Sequence, residues 1–252
     1  MRRLLTVLGL FITAGLAATA AAAQPIRVLV REVEPFYFHK NGEVTGIDHE
    51  LLQYYSKKSG RPLQLVWVNE FDDLLRRLEA GDGDVAASGI TLTAARRQKF
   101  DDSGSYLPVR VVLVEPTGHT TTDLVQLRGR TLATMKGTTY EAALGKVPAV
   151  KLVYGLDEAE LIAMVADGRA AATAVDTIPA LYRLPGYPGL HMTLALSEPQ
   201  AYGYFVRKGS PLAADLAKHI AQMRASGIYY RVLQKYLGPK AAEMVKAGHE
   251  DE

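Results

Sequence analysis

The spacing of hydrophobic residues in the first half of the chain alternates between two periods. Short apolar runs at 26–30, 63–68 and 84–87 are rich in Val, Leu and Ala and predict buried strands. The segments 48–60 and 71–81 repeat their apolar residues every three or four positions and end at Gly, which predicts amphipathic helices. This β-α-β-α-β order favours a parallel sheet with helices packed outside it.

Turn and cap residues mark the ends of these elements. Asn41 and Gly42 form a turn signal between Phe38 and Val44. Asp48 is predicted to be the N-cap of the helix that follows, because a short carboxylate can accept a hydrogen bond from an amide of the first helical turn.

The same alternation returns in the second half of the chain, which predicts a second α/β unit. The strand-like runs lie at 109–114, 131–135, 150–154, 170–175 and 201–206. A last amphipathic segment at 228–237 ends at Gly238 and Pro239, and the residues beyond it are expected to be a frayed tail.

A polar turn follows the predicted strand at 84–87. Ser88, Gly89 and Thr91 come at the carboxyl end of this strand, where open α/β sheets bind ligands, and their backbone N–H groups are expected to be free. Arg96 lies one turn further on, and a guanidinium matches a carboxylate with two parallel hydrogen bonds. The turn therefore predicts capture of a small anion, with a capped helix and solvated arginines as the alternative.

A second strand end also carries a functional group. Asp176 follows the predicted strand at 170–175 and stands directly before an apolar segment that begins with Ile178. A ligand-binding carboxylate and a simple N-cap of the next helix are both open at this position.

The first residues have the pattern of an export signal. A basic start precedes the apolar run 4–16, and the alanines at 21–23 form a small-residue cleavage site. A membrane anchor is the alternative, but the apolar run is short for a span. We therefore expect residues 1–23 to be a signal peptide cleaved near Ala23 and the mature protein to be soluble and exported.

The composition excludes several classes of function. The 252-residue chain has no Cys, which excludes disulfides, thiolate catalysis and Cys-bound metals. Its 29 Lys and Arg against 27 Asp and Glu form no basic block, which argues against a nucleic-acid partner. The segment 49–53 lacks the last residue of the zinc pattern His-Glu-x-x-His, and no Gly-x-Ser-x-Gly is present. We predict no cofactor, no metal and no catalytic residue.

Five segments, taken in order, resemble one protein family. They are 46–51, 88–96, 101–106, 123–139 and 168–176. Together they resemble the bacterial extracellular solute-binding proteins of polar amino-acid ABC transporters, family 3. The resemblance implies the α/β, type II periplasmic-binding-protein fold, in which two α/β lobes are joined by two hinge strands.

The resemblance also implies a division of the chain. Lobe 1 would comprise 24–112 and 204–252, and lobe 2 would comprise 113–203. The hinge strands would lie near 109–115 and 201–206.

The same resemblance assigns ligand-binding roles. Arg96 matches the arginine that pairs with the α-carboxylate of an amino acid, and Asp176 matches the carboxylate that takes its α-ammonium. The backbones of Thr91 and Thr139 match amides that help to hold the carboxylate. The other ligand-binding positions are Ser88, Gly89, Thr138, Val33, Phe36 and Phe71, the last three as walls of the side-chain pocket.

The family implies a periplasmic, monomeric protein that captures a small zwitterionic or anionic ligand, above all an amino acid. It would deliver this ligand to the permease of an ABC transporter. Two departures from the family pattern, Ala94-Ala95 for Pro-Glu and Val33 for an aromatic residue, leave another small carboxylate open as the ligand.

Two alternatives use the same fold. One is an accessory protein of a secreted redox enzyme, which would bind a partner rather than a nutrient. The other is a periplasmic cyclohexadienyl dehydratase, whose catalytic acid would fall on Pro179. Because Pro179 has no proton to donate, a non-enzymatic role is favoured.

Overall fold

The computed structural model describes the backbone of residues 23–250 and the side chains of residues 23–239. The predicted signal peptide, 1–23, lies outside the described residues except for Ala23. The strands are β1 Ile26–Val30, β2 Phe38–Lys40, β3 Glu43–Thr45, β4 Leu63–Trp67, β5 Val85–Ala86, β6 Phe100–Asp102, β7 Leu107–Val109, β8 Val111–Pro116, β9 Thr131–Thr134, β10 Lys151–Tyr154, β11 Ala172–Asp176, β12 Leu190–Ala195, β13 Gln200–Tyr202 and β14 Phe205–Arg207.

In the part of the chain that the structure describes, eight α-helices accompany these strands. They are α1 Ile47–Ser59, α2 Phe71–Ala80, α3 Ala94–Lys99, α4 Thr139–Leu144, α5 Glu158–Ala166, α6 Thr177–Arg183, α7 Leu212–Ala225 and α8 Ile228–Glu250. Two short 3₁₀ helices lie at Leu124–Leu127 and Leu184–Gly186.

The strands form two five-stranded sheets, one in each lobe. Their orders are β4-β1-β5-β14-β6 and β10-β9-β11-β8-β12. Three neighbouring strands of each sheet are parallel, but β14 runs antiparallel to β5 and β8 runs antiparallel to β11. The type II fold with two α/β lobes is confirmed, whereas the expectation of a parallel sheet holds for only part of each sheet. The antiparallel strand is in each case the one that enters from the other lobe.

A separate two-stranded sheet connects the lobes. Leu107–Val109 pairs antiparallel with Gln200–Tyr202, while β8 and β14 already belong to the sheets of the two lobes. The expected hinge ranges, 109–115 and 201–206, therefore overlap this pair but extend into the lobe sheets. The exact division of the chain into lobes stays a prediction.

Alternation along β1 explains how the first sheet is covered on both faces. Val28 and Val30 pack with the apolar faces of α1, α7 and α8, whereas Leu29 packs with Leu74 and Leu78 of α2. Successive side chains of a strand point to opposite faces of the sheet, so a strand can be buried on both faces only when the residues on both are apolar. As a result, β1 is packed on both faces, and Arg31 directly after it lines the interlobe cavity.

The last helix changes direction at Gly238. Its φ of 79° lies in the left-handed region that favours glycine, and helical backbone resumes beyond it. The sequence therefore predicted the break correctly, but the expected frayed tail after Pro239 is wrong for the described backbone. None of the helices within the described residues combines the length and apolar character needed to cross a membrane.

Candidate ligand-binding cleft

A narrow cavity with an accessible volume of about 10 Å³ lies between the lobes, where the parallel strands of both sheets end. This volume holds about one water molecule, so a ligand can enter only when the two lobes move apart. The cavity is lined by Arg31, Phe71, Ser88, Gly89, Thr91, Arg96, Met135, Thr138, Thr139, Tyr140, Glu158 and Asp176. All the predicted ligand-binding residues except Val33 and Phe36 are in this set.

Arg96 reaches the cavity from the first turn of α3. The Thr93 hydroxyl caps this helix by accepting a hydrogen bond from the Arg96 amide at 3.2 Å. The guanidinium donates to the Thr91 carbonyl at 2.8 Å and to the Gly137 carbonyl at 3.3 Å. It also lies over the Phe71 ring, 4.8 Å from the ring centroid. The carbonyl of Gly137 belongs to lobe 2, so Arg96 spans the mouth of the cleft.

The charge of Arg96 is not matched by a carboxylate in contact with it. Burial lowers the pKa of its guanidinium to about 10, which still leaves it protonated at neutral pH. Among the described residues Arg96 forms no ion pair, whereas the neighbouring Arg97 is exposed and pairs with Asp102 at 3.0 Å. Arg96 is therefore a cation available to an anion inside the cleft.

Asp176 lies at the end of β11, with only 1% of its surface exposed. Its Oδ2 accepts a hydrogen bond from the Tyr202 hydroxyl at 2.6 Å, and its Oδ1 has no partner among the described residues. Although the residue stands at the N-cap position of α6, its side chain makes no capping hydrogen bond. The simple N-cap alternative is therefore not what the structure shows.

The protonation of Asp176 is sensitive to its surroundings. Burial is the main cause that raises the pKa of its carboxyl to about 7, and the nearby charge of Glu158 acts in the same direction. The Tyr202 hydrogen bond and the positive charge of Arg96 oppose this shift. A cation placed against Oδ1 would favour the ionised form.

Ser88 and Gly89 shape the wall of the cavity, but their amides are not free. Both N–H groups donate to Oδ2 of Asp48, at 2.9 and 3.0 Å. The Ser88 hydroxyl accepts from the Arg31 amide at 2.9 Å. The expectation of free amides at these two positions is wrong, because a buried carboxylate from α1 already holds them.

Asp48 consequently has a different role from the one predicted. The N-cap of α1 is Gly46, and Asp48 is fully buried in lobe 1. Its carboxylate fixes a turn in which Ser88 and Gly89 adopt φ values of 104° and 63°. A positive φ at a non-glycine residue stores strain that the surrounding contacts must hold. Asp48 therefore fixes the conformation of this turn.

Val33 and Phe36 pack behind the cavity wall. Val33 pairs with Tyr37 in an isolated bridge and is buried in lobe 1. Phe36 meets the Tyr202 ring edge-on at 5.2 Å between centroids. A Cβ added to Gly89 would lie 2.6 Å from the Phe36 ring. Phe36 thus supports the wall through its neighbours, whereas Phe71 faces the cavity itself.

Two charged residues line the cavity that the sequence did not single out. Arg31 directly follows β1 and is 2% exposed; it donates to the Leu156 carbonyl at 2.8 Å and to Sδ of Met135 at 3.3 Å. Glu158, in the first turn of α5, is 5% exposed and accepts from the Tyr140 hydroxyl at 3.2 Å. The strand-end position of Arg31 is the one signal that could have identified it.

Ion pairs also cross between the lobes. Lys136 lies 3.5 Å from Asp72, and Arg183 lies 3.2 Å from Glu34. Together with the contacts of Arg31 and Arg96 across the cleft, these pairs show that the two lobes are closed against each other.

The family of the chain is indicated by a sequence comparison. The model of the bacterial extracellular solute-binding proteins, family 3, matches residues 26–239. A Vibrio harveyi protein named as an amino-acid ABC transporter-binding protein, PatH, is 30% identical over 236 residues. This match covers 88% of the present chain and 92% of that protein.

A second relative is an enzyme by name. Membrane-bound lytic murein transglycosylase F of Photobacterium profundum is 26% identical over 225 residues, covering 84% of the present chain and 44% of that protein. The chain thus spans less than half the length of the transglycosylases it matches.

Among solved structures, the substrate-binding protein of an amino acid ABC transporter superposes with a TM-score of 0.79 and 26% identity. The superposition covers 86% of the present chain and all of that protein.

Proposed function

The chain belongs to the bacterial extracellular solute-binding proteins, family 3, and from that premise we propose that it captures a free α-amino acid between its lobes. One observation carries the proposal. Arg96 of lobe 1 and Asp176 of lobe 2 line the same cavity. Among the described residues, no carboxylate contacts Arg96, and Oδ1 of Asp176 has no hydrogen-bond partner. The α-carboxylate would bind Arg96 and the α-ammonium would bind Asp176.

The electrostatics of the cavity support a zwitterion. A buried ionised group is costly unless it is paired, and Asp176 resists ionisation at neutral pH for this reason. An ammonium would pair with Oδ1 and remove that cost, while a carboxylate would use the planar donors of Arg96. Neither an isolated anion nor an isolated cation satisfies both walls of the cleft.

The relatives support a role in uptake. PatH is named as an amino-acid ABC transporter-binding protein, and the match covers 88% of the present chain and 92% of PatH. We propose that the protein works in the periplasm, after cleavage near Ala23, and delivers its ligand to a permease. The family is described as extracellular. We expect an intact-mass measurement to show that the mature chain starts at or near Gln24.

We assign no reaction to this cleft. The catalytic acid of a dehydratase would fall on Pro179, which is buried in α6 and has no ionisable group. The transglycosylase relatives match over less than half their length, so their activity is not carried over to this chain. Stable co-purification with a redox enzyme, without amino-acid binding, would favour the accessory-protein alternative.

A thermal-shift screen over the amino acids tests the proposal. A ligand at 100 times its Kd stabilises the folded protein by about 2.7 kcal/mol, which a melting curve detects. The tightest amino acid is then titrated by calorimetry beside its methyl ester and its N-acetyl derivative, each of which lacks one of the two charges. We expect both derivatives to bind far more weakly, and equal affinities for all three would contradict the two-charge arrangement.

A further inference from the structure

The cavity contains a second pair of charges beyond the two assigned to the ligand's α-groups. Arg31 and Glu158 come from opposite lobes, line the same cavity and are 2% and 5% exposed. Neither residue forms an ion pair among the described residues. Charged side chains this deeply buried require polar partners, so their environment constrains what else can occupy the cavity.

The buried polar atoms of the cavity that have no hydrogen-bond partner among the described residues indicate which groups a ligand must supply. Nε of Arg31 is a buried donor, and Oε2 of Glu158 and Oδ1 of Asp176 are buried acceptors; none has a partner among the described residues. An α-ammonium at Asp176 uses one acceptor. One donor and one acceptor then remain, and they need a group that accepts from Arg31 and donates to Glu158.

The charges that line the cavity further restrict which side chains the ligand can have. With Asp176 ionised by the ligand's ammonium, the cavity holds two arginines and two carboxylates and is neutral overall. A zwitterion with an uncharged side chain preserves that neutrality. An acidic or basic side chain would add a buried charge without a counter-charge, which is unfavourable in a protein interior.

From these contacts, and resting on the proposed function, we propose that the ligand is an amino acid whose side chain ends in a carboxamide. Its carbonyl oxygen accepts a hydrogen bond from Nε of Arg31, and its NH₂ group donates to Oε2 of Glu158. A carboxamide has both a donor and an acceptor and carries no charge.

Calorimetric titration with matched ligands tests the inference on the wild-type protein. Asn and Gln are compared with their acidic counterparts Asp and Glu, with Leu as an uncharged apolar ligand and with Lys as a cationic one. We expect one carboxamide to bind at least about tenfold more tightly than its acid and than Leu, because sites built to hydrogen-bond reject analogues that leave buried groups unpaired.

The variant Glu158→Gln tests the assignment of the acceptor. It replaces a carboxylate oxygen by an NH₂ donor and removes one negative charge. We expect the affinity ratio of the carboxamide to its acid to fall at least about tenfold, a change that general loss of stability would not produce. Glu198→Gln, at an exposed position outside the cavity, makes the same substitution and should leave the ratio unchanged.

The outcomes separate this inference from the function on which it rests. Tightest binding of an acidic, basic or apolar amino acid overturns the carboxamide inference and leaves amino-acid capture standing. An unchanged ratio in a folded Glu158→Gln protein also overturns it. If no amino acid binds at all, the proposed function fails and the inference fails with it. Should Glu158→Gln not fold, the ligand order of the wild type decides alone.

Discussion

At the scale of single residues, Arg96 and Arg97 are neighbours with opposite environments. Arg96 is partly buried in the cleft, and Arg97 is exposed beside Asp102. We expect Arg96→Ala to weaken ligand binding by about 2–5 kcal/mol, because the ligand carboxylate would be left desolvated without its cation. Arg97→Ala should change binding by less than about 0.5 kcal/mol. Calorimetric titration of the two variants gives this comparison, and equal losses would refute the assignment of Arg96.

The carboxyl of Asp176 makes affinity dependent on pH. With a pKa of about 7 it is mostly protonated in the free protein at pH 5.5, and the proton must leave before an ammonium can pair with it. The apparent Kd should therefore rise as the pH falls, by about 30-fold at pH 5.5 relative to fully ionised protein. The α-groups of an amino acid keep their charges over this range.

Titration at pH 5.5 and pH 8 measures this effect. Asp176→Asn is the control, since it keeps the shape of the side chain but does not titrate. Its residual binding should be weak and nearly independent of pH. A wild-type affinity that is constant from pH 5.5 to pH 8 would mean that Asp176 does not meet the ligand's ammonium.

Local sequence identified part of the site and missed the part that depends on tertiary contacts. Arg96 lies one turn beyond a strand end and Asp176 ends a strand, which marked both as candidates, and the family resemblance assigned their roles. Asp48 had the local signature of an N-cap, but its partners are amides 40 and 41 residues further along the chain. Glu158 had no local signal, because its importance arises only when lobe 2 closes over Arg31.

At the scale of secondary structure, the turn before α4 lies in close contact with the opposite lobe. Gly137 has a φ of 73°, and a Cβ added there would lie 2.9 Å from Cβ of Asp72 in the opposite lobe. Gly129 has a φ of 70°, but a Cβ added there would meet nothing within 4 Å. The two glycines therefore share a backbone conformation and differ in whether a side chain would meet the other lobe.

We expect Gly137→Ala to weaken ligand binding and Gly129→Ala to leave it unchanged. Both variants should lose about 1–2 kcal/mol of stability, because alanine in the left-handed region is strained. Only the first should also hinder closure. Unfolding curves and calorimetric titrations of both variants separate these effects, and equal affinities would show that this contact does not limit closure.

Strand direction was harder to predict than strand position. The apolar runs located β1, β4, β9 and β10 closely, because their periodicity is local. The direction of β8 and β14 depends on the chain crossing between lobes, which periodicity does not record. The run at 109–114 therefore contains parts of two strands, one in the hinge pair and one in the second sheet.

At the scale of the whole molecule, the contacts between the closed lobes predict that the lobes open and close with ligand binding. A ligand that touches Arg96 and Asp176 makes more contacts when the lobes are closed, and only such differential affinity can shift the equilibrium between open and closed forms. We expect ligand to reduce the radius of gyration by bending at the β7–β13 pair. Small-angle X-ray scattering with and without ligand measures this change, and Asp176→Asn should close incompletely.

The crystal structure of the protein with its tightest amino acid tests the account most directly. The predicted result has the ligand's α-carboxylate hydrogen-bonded to the guanidinium of Arg96 and its α-ammonium hydrogen-bonded to Oδ1 of Asp176, with both lobes in contact with it. A ligand bound outside the interlobe cavity, or one that leaves either Arg96 or Asp176 without a direct contact, would contradict the account.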